Sequence, residues 1–423
     1  MDDEELEVIV ERSAGLDVHK DMVAVTARIQ GADGRVVKHR AEFATFTKDL
    51  LALRDWLVAL GVSRVGMEAT GVYWKPVFYV LEDGLECWLL NARHLHNVPG
   101  RKTDMADSDW ICRLVRFGLV RPSFVPPMPI RELRNLTRYR RTRIEERSRE
   151  TQRLDKVLQD AGVKLSSVAS DIKGKSGRDM LDALVAGSRN PAVLAELARG
   201  RLRTKIPQLR AALTGRFGAN HALVVGEILA HMDYIDESLG RIQQAIDEAI
   251  APFAEQRERL CTIPGIDKVL AEAVIAEIGV DMSVFPTAGH LASWAGVCPG
   301  QHESAGKRQK GTSRPGNSWL QRNLAVGAMA AIRTKDTYLA AQYGRLVGRR
   351  GKRRARKAVA HSILVGCWHI LHDGVEWTEL GVDYFERRQD PKRLAQRKLN
   401  DLRSLGWTVT GNADGSTTIT PAA

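Results

Sequence analysis

Four carboxylates carry the chemical pattern of this chain. Asp17 ends an apolar run in Gly-Leu-Asp-Val-His-Lys (15–20), and Glu68 ends another in Gly-Met-Glu-Ala-Thr-Gly (66–71). Asp104 and Asp107 stand in Lys-Thr-Asp-Met-Ala-Asp (102–107). A carboxylate in an apolar strand is expensive unless something compensates it. Asp104 and Asp107 are three apart, so a helix sets them on one face. Four converging acids repel one another unless a cation sits among them. Mg²⁺ is hard, takes oxygen ligands and suits phosphate chemistry. Two such ions roughly 3.5–4 Å apart activate a nucleophile and steady the leaving oxygen in phosphoryl transfer. Each acid alone also has a plainer reading: Asp104 as a helix cap after Thr103, Asp17 as a partner of Lys20. The occurrence of all four at element ends favours the metal centre. Asp109, two residues beyond Asp107, points away from that face and is left out.

The elements that must position these acids are legible over the first 120 residues. Ala14–Asp17, Met22–Arg28 and Arg35–Phe43 read as strands, the last after the turn signal Gly31-Ala-Asp-Gly34. Lys48–Leu60 has helical apolar spacing, Arg64–Glu68 reads as a strand and Trp74–Asp83 as a helix ended by Gly84. Glu86–Leu90 follows as a strand and Ala106–Arg116 as a helix. A three-strand meander followed by strand–helix alternation predicts an α/β domain with a mixed sheet.

Pro122, Pro126, Pro127 and Pro129 then mark a boundary, because each fixes φ and restricts its predecessor. Arg131–Gln159 reads as a charged helix, with eight Arg and four Glu in its first 20 residues. It is either a solvated helix laced with ion pairs or an arm along a nucleic-acid backbone. Residues 161–218 give short helical patterns. Their Gly-Lys-Ser-Gly (174–177) lacks the spacing and preceding strand of a phosphate loop. Ala219–Glu258 reads as one long amphipathic helix able to pair with Arg131–Gln159 as a coiled coil. Leu260–Asp267, with its Pro-Gly turn before an Ala-rich helix, predicts a helix-hairpin-helix or a plain αα-hairpin. Phe285–Leu320 is basic and loop-rich, Trp319–Ile332 is helical, and Arg349–Lys357 places seven Lys/Arg in nine residues before an apolar helix. Gly406–Ala423 has hairpin-like alternation.

Composition bounds these readings. The 423 residues carry 63 Lys+Arg against 51 Asp+Glu, a formal charge of +12, which points to a polyanionic partner. Hydrophobic content of 44% excludes wholesale disorder. No apolar run reaches about 18 residues, so no membrane span is expected. The acidic start, Met1–Glu11, lacks the basic and apolar regions of a secretory signal. Five scattered Cys without a CxxC argue against disulfides and zinc. A cytoplasmic protein is expected.

The motifs around Asp17, Glu68 (Met-Glu-Ala-Thr-Gly-Val-Tyr, 67–73) and Asp104/Asp107 resemble the DEDD motif of a class of bacterial insertion-sequence transposases. Ile-Pro-Gly-Ile (263–266), Ala-Gly-Val-Cys-Pro-Gly (295–300), Glu-Ser-Ala-Gly-Lys (303–307) and Gly-Asn-Ser-Trp-Leu-Gln-Arg (316–322) resemble the C-terminal domain of the same class. The resemblance implies a RuvC-like, ribonuclease H-type mixed sheet over 1–125 and a helical, coiled-coil segment over 126–258. It implies a mainly α transposase domain over 259–375, leaving 376–423 as an appendage. It also implies DNA cleavage and strand exchange, with Asp17, Glu68, Asp104 and Asp107 binding Mg²⁺ and Ser304 as nucleophile.

A serine hydroxyl needs a base or a metal to attack phosphate. Lys307, Arg308, Lys310 and Arg314 would neutralise the charge that develops. Ser313 and Ser318 compete with Ser304 in the same loop, Ser318 also as a cap of the Trp319 helix. Arg322, Arg138, Arg141, Arg353 and Arg354 complete the expected nucleic-acid-binding set. Ala305-Gly306 departs from the Gly-Ser that often follows the serine in relatives. Members of the class are bridge-RNA-guided serine recombinases. The implied partners are therefore donor and target DNA, a structured noncoding guide RNA and further copies of the chain in a dimer or tetramer, with nucleoid association when bound to DNA. The competing readings are a Holliday-junction-type nuclease using only the acids and water, and a non-catalytic nucleic-acid-binding protein.

Overall fold

The computed structural model describes residues 6–69, 71–92, 95, 106–300, 303–304, 306–308, 313–388, 390–411 and 417–421. The chain divides into two compact units, Met1–Val125 and Pro126–Ala423.

The first unit is built on a five-stranded mixed sheet. Its strands are β1 (Arg12–Val18), β2 (Met22–Gln30), β3 (Val36–Ala44), β4 (Arg64–Glu68) and β5 (Glu86–Leu90), in the spatial order β3-β2-β1-β4-β5. β1 and β3 each pair antiparallel with β2, whereas β1–β4 and β4–β5 are parallel. The parallel pairs need crossovers, and α1 (Thr47–Ala59) and α2 (Trp74–Leu81) supply them. Side chains alternate along a strand. Ala14, Leu16 and Val18 of β1, with Val65 and Met67 of β4, pack against Leu50, Leu53 and Leu57 of α1 and Val77, Phe78 and Leu81 of α2.

The opposite face is covered by α3 (Asp107–Arg116), and glycine lets it approach. A Cβ at Gly15 would lie 2.1 Å from the Ser108 carbonyl oxygen and 2.2 Å from the Cys112 nitrogen. One at Gly66 would lie 2.5 Å from a Val115 methyl. β1 is thus buried on both faces, as a central strand with parallel pairing requires.

The second unit is mainly helical. Its first helix, α4 (Met128–Asp160), starts after Pro127 and carries Pro129 in its first turn, where a missing N–H costs nothing. Four short helices follow: α5 (Leu165–Val168), α6 (Lys175–Val185), α7 (Pro191–Glu196) and α8 (Ile206–Ala212). They fold into a small module whose core joins Met180, Leu181, Leu184, Leu194, Leu209 and Leu213 to Leu154 and Leu158 of α4. Gly-Lys-Ser-Gly (174–177) lies at the start of α6, where Gly177 admits the Ile172 carbonyl rather than forming a phosphate loop.

α9 (Ala219–Ile250) returns antiparallel to α4. Arg147 pairs with Asp236, Arg140 with Gln243, and His231 with Glu146 and Glu150. The single helix expected over 219–258 is interrupted. Pro252 has no N–H to donate, residues 251–253 form a 3-10 turn, and α10 (Ala254–Cys261) starts anew. α11 (Lys268–Ile278), α12 (Ala288–Trp294), a short β6–β7 pairing (Glu303–Ser304 with Lys307–Arg308) and α13 (Ser318–Arg333) come next. Beyond them are α14 (Tyr338–Arg350), α15 (Lys352–Asp373), α16 (Tyr384–Arg387), α17 (Pro391–Ser404) and the hairpin β8–β9 (Trp407–Gly411, Thr417–Pro421). No helix among the described residues is long and apolar enough to cross a membrane.

Candidate functional site

Asp17 and Glu68 come together by register. β1 and β4 pair in parallel up to Leu16 opposite Met67, and each acid is the next residue along. Ser13, Gly15 and Asp17 share one face of β1, and Gly66 and Glu68 the matching face of β4, because their neighbours fill the α1–α2 core. Both acids therefore sit at the carboxyl ends of adjacent central strands, on the α3 side, and both are half-buried.

α3 runs antiparallel to β1. Ser108 Oγ lies 2.9 Å from Thr26 Oγ1, Cys112 Sγ donates to the Ser13 carbonyl at 3.3 Å, and Arg116 donates to the Glu11 carbonyl at 2.9 Å. The amino end of α3, where Asp107 is the first helical residue, is thus level with the Asp17 end of β1. That end carries the positive pole of the helix, which favours acids and phosphate oxygens. The helix begins at Asp107 with Ala106 as N-cap and no side-chain cap bond. Asp104 lies outside the described residues.

His19 Nε2 stands 3.1 Å from Asp17 Oδ2, so a local partner of Asp17 is His19, not the Lys20 of the plainer reading. Asp17, Glu68 and Asp107 offer only hard oxygen donors, which fits a divalent cation of the Mg²⁺ kind. Among the described residues no group of three or more His, Cys, Asp or Glu stands close enough to hold a metal ion.

Asp109 points elsewhere, as its spacing predicts, and serves the fold. Its carboxylate is 4% exposed and meets Arg28 at 2.7 Å, Lys38 at 3.2 Å and Arg40 at 3.6 Å. Burial alone would raise its pKa, but hydrogen bonds and charge from Arg28 and Lys38 outweigh that and hold it below the usual carboxylate range. This network ties α3 to β2 and β3 and so fixes the height of Asp107. Burial pushes the thiols of Cys87 and Cys112 up to about 12 and about 11, which removes them as nucleophiles at neutral pH.

In the second unit, Ser304 closes β6 opposite Lys307, with Gly306 turning at φ 72°. Of Ser304, Lys307 and Arg308 only the backbone is described, and Lys310 lies outside the described residues. Arg314 is exposed, as are Arg353 and Arg354 on the first turn of α15. Ser318 does not cap its helix. Asn317 does, its side chain accepting from the Trp319 and Leu320 nitrogens at 3.0 Å each.

Three of the expected nucleic-acid-binding arginines are engaged within the protein, Arg322 with Glu145 at 3.9 Å among them. Arg138 donates two bonds, 2.7 and 2.8 Å, to the buried Glu277 of α11, and Arg141 pairs with Glu145 at 3.0 Å. Glu277 also accepts from Asn317 Nδ2 at 2.7 Å. Arg140 bonds to the buried Glu272. Both Arg138 and Arg322 lie over the Trp319 ring, at 5.3 and 5.4 Å. Sequence reasoning missed Glu272 and Glu277. Their signal was two charges in the otherwise apolar run 270–278, which needs buried cations as partners. The Pro-Gly turn at 264–265 is closed by α13: a Cβ on Gly265 would lie 2.4 Å from the Gly327 carbonyl oxygen. α11 is capped by Asp267, which accepts from the Leu270 nitrogen at 2.8 Å. That packing seats the turn against α13 of its own unit.

Comparison with known proteins agrees with this layout. A DEDD-type transposase family matches residues 14–162, and the transposase IS116/IS110/IS902 family matches residues 257–344. A protein of Sinorhizobium fredii (strain NBRC 101917 / NGR234), provisionally named transposase y4pF/y4sB, is 25% identical over 166 residues. That alignment covers 38% of this chain and 41% of the relative, so the chain spans about two fifths of the length of the relative it matches. The two family matches lie in order, one over the acid-bearing sheet and α4, the other over the segment from α10 to α14, and together cover more than half of the chain. The chain belongs to the IS116/IS110/IS902 family of transposases.

Proposed function

We propose that this protein cleaves and rejoins DNA strands in transposition, with Ser304 as nucleophile and a divalent cation, Mg²⁺, held by Asp17, Glu68, Asp104 and Asp107. The observation that carries the reading is the placement of Asp17 and Glu68 side by side at the ends of β1 and β4, level with the amino end of α3. The strand order β3-β2-β1-β4-β5 supports a ribonuclease H-type, RuvC-like assignment for this unit.

When bound, the cation supplies positive charge that offsets the phosphate and eases departure of the leaving oxygen. In the strand-cleaving step Ser304 Oγ attacks phosphorus. An Oγ–P bond forms, the P–O bond to the departing strand breaks, and the leaving oxygen takes up a proton as the serine loses its own. Rejoining is the reverse, with the incoming strand's hydroxyl displacing Ser304. Lys307, Arg308, Lys310 and Arg314 neutralise the phosphate near the serine. A structured RNA encoded beside the protein supplies sequence recognition through base pairing, while the protein holds backbones. The low aromatic content, 6%, is in keeping with backbone binding over base stacking. The active assembly is a dimer or tetramer of this chain.

The test is recombination of a donor and a target plasmid with purified protein, with and without the adjacent transcript. A covalent protein–DNA adduct is expected, absent from Ser304→Ala. Asp17→Asn, Glu68→Gln and Asp107→Asn should abolish cleavage and leave DNA binding intact. Strand exchange by Ser304→Ala would refute the serine and leave the acids-and-water nuclease. Loss of binding in step with cleavage in the acid variants would make those acids structural.

A further inference from the structure

The helix α4 and the α14–α15 hairpin are both strongly basic, and the structure separates them. Seven of the nine arginines of α4 are matched internally: Arg134 and Arg138 by Glu277, Arg140 by Glu272, Arg141 by Glu145, Arg143 by Glu146, Arg147 by Asp236 and Arg153 by Glu150. The helical hairpin of α14 and α15 is the opposite case. No acidic residue occurs between Asp336 and Asp373. Arg345, Arg349, Arg350, Lys352, Arg353 and Arg354 are all exposed, and none is in an ion pair among the described residues.

The tip costs the fold something. Lys352, Arg353 and Arg354 occupy the first turn of α15, where the helix dipole disfavours cations. Gly351 turns the chain there at φ 77° and has no side chain to cap the first-turn N–H groups. An anion at the tip would relieve both the like-charge crowding and the uncapped amides.

We propose that the α14–α15 tip is a docking surface for the phosphate backbone of duplex DNA. This rests on the reading that the protein acts on DNA. The surface's own chemistry selects the duplex. Between Gly344 and Lys357 there is no aromatic ring on which an unstacked base could lie and no Asn or Gln to read an adenine edge, and the neighbouring Phe385 ring is already covered by Arg345 at 5.1 Å. The exposed glycines Gly344 and Gly348 leave open space along α14 beside Arg345 and Arg349. The tip therefore grips without reading sequence, and α4 contributes little to the grip.

The experiment is equilibrium binding of full-length protein to a labelled duplex of scrambled sequence over a salt series, without divalent cation so that no strand is cut. Each phosphate contact contributes about 0.9 to the slope of log K against log salt. The quadruple variant Arg349→Ala, Arg350→Ala, Arg353→Ala, Arg354→Ala should lower the slope magnitude by about 3–4. The same four positions changed to Lys should restore it. The triple variant Arg147→Ala, Arg178→Ala, Arg199→Ala removes cations that are paired with Asp236, Asp233 and Asp179, and should change the slope by less than about 1. An unchanged slope in the quadruple variant overturns the proposal. So does an equal loss in the triple variant, which would make net charge the cause, or a loss confined to structured RNA. Because no cleavage is read, a failure here leaves the assignment of Ser304 and the acids standing, and their failure leaves the tip standing.

Discussion

A methyl group added at Gly15 would stand 2.1 Å from the Ser108 carbonyl oxygen and 2.2 Å from the Cys112 nitrogen, where ordinary contact begins at 3.4 Å. Both atoms are helix backbone, so no side chain can swing aside. α3 must retreat by roughly 1.3 Å or the strand must bend, and overpacking of this kind costs about 1–3 kcal/mol, with backbone clashes at the upper end. Gly15→Ala should therefore lower the urea midpoint of the first unit by roughly 1–2 M, given slopes of about 1–3 kcal/mol/M. Hydrogen exchange at β1 and α3 would locate the loss. Gly66→Ala should cost less, because it meets side-chain atoms rather than helix backbone, the nearest a Val115 methyl at 2.5 Å. Gly84→Ala, with open space around it, should be neutral. The displacement would also carry Asp107 away from the Asp17 end of β1, and a misplacement of about 1 Å can cost on the order of 100-fold in rate. Equal stability for Gly15→Ala and Gly84→Ala would refute the close approach of α3, and with it the placement of Asp107.

Asp109→Ala should destabilise the first unit by about 3–5 kcal/mol, because it leaves Arg28 buried without its acid; thermal melting with Asp109→Ala beside the parent protein checks it. The folded-state pKa of Asp109 lies below its unfolded value, so its contribution is fully present above about pH 4 and is lost as pH falls through the folded value. The stability difference between parent and variant should shrink below that pH, and a difference independent of pH would refute the assignment. Glu277→Ala should cost a similar amount, about 3–5 kcal/mol, since Arg138 and Asn317 lose their acceptor. Exchange protection should fall at the start of α13 before it falls at α9.

The strands and helices of the first unit were legible because burial imposes period two on strands and period 3.6 on helices. β4 and β5 coincide with the expected Arg64–Glu68 and Glu86–Leu90. Asp17 and Glu68 stood out because a charge ending an apolar strand needs a reason. The helix over 219–258 was overextended, since the apolar pattern runs through Pro252 while the backbone cannot. The module over 161–218 was not legible, because its helices are short and bury themselves only against one another and the end of α4.

By itself, the sequence determined the sheet's strands, the four acids, the basic segments and the family motifs, all of which are local in the chain. Tertiary structure alone decided which acids become neighbours, through the parallel register of β1 and β4. It also decided which basic residues stay free. Arg138 and Arg353 look alike in sequence, but Glu277 is brought to the first from 139 residues away, whereas among the described residues no carboxylate pairs with the second. Charge neutralisation depends on distance in space, and that is set only when the helices pack.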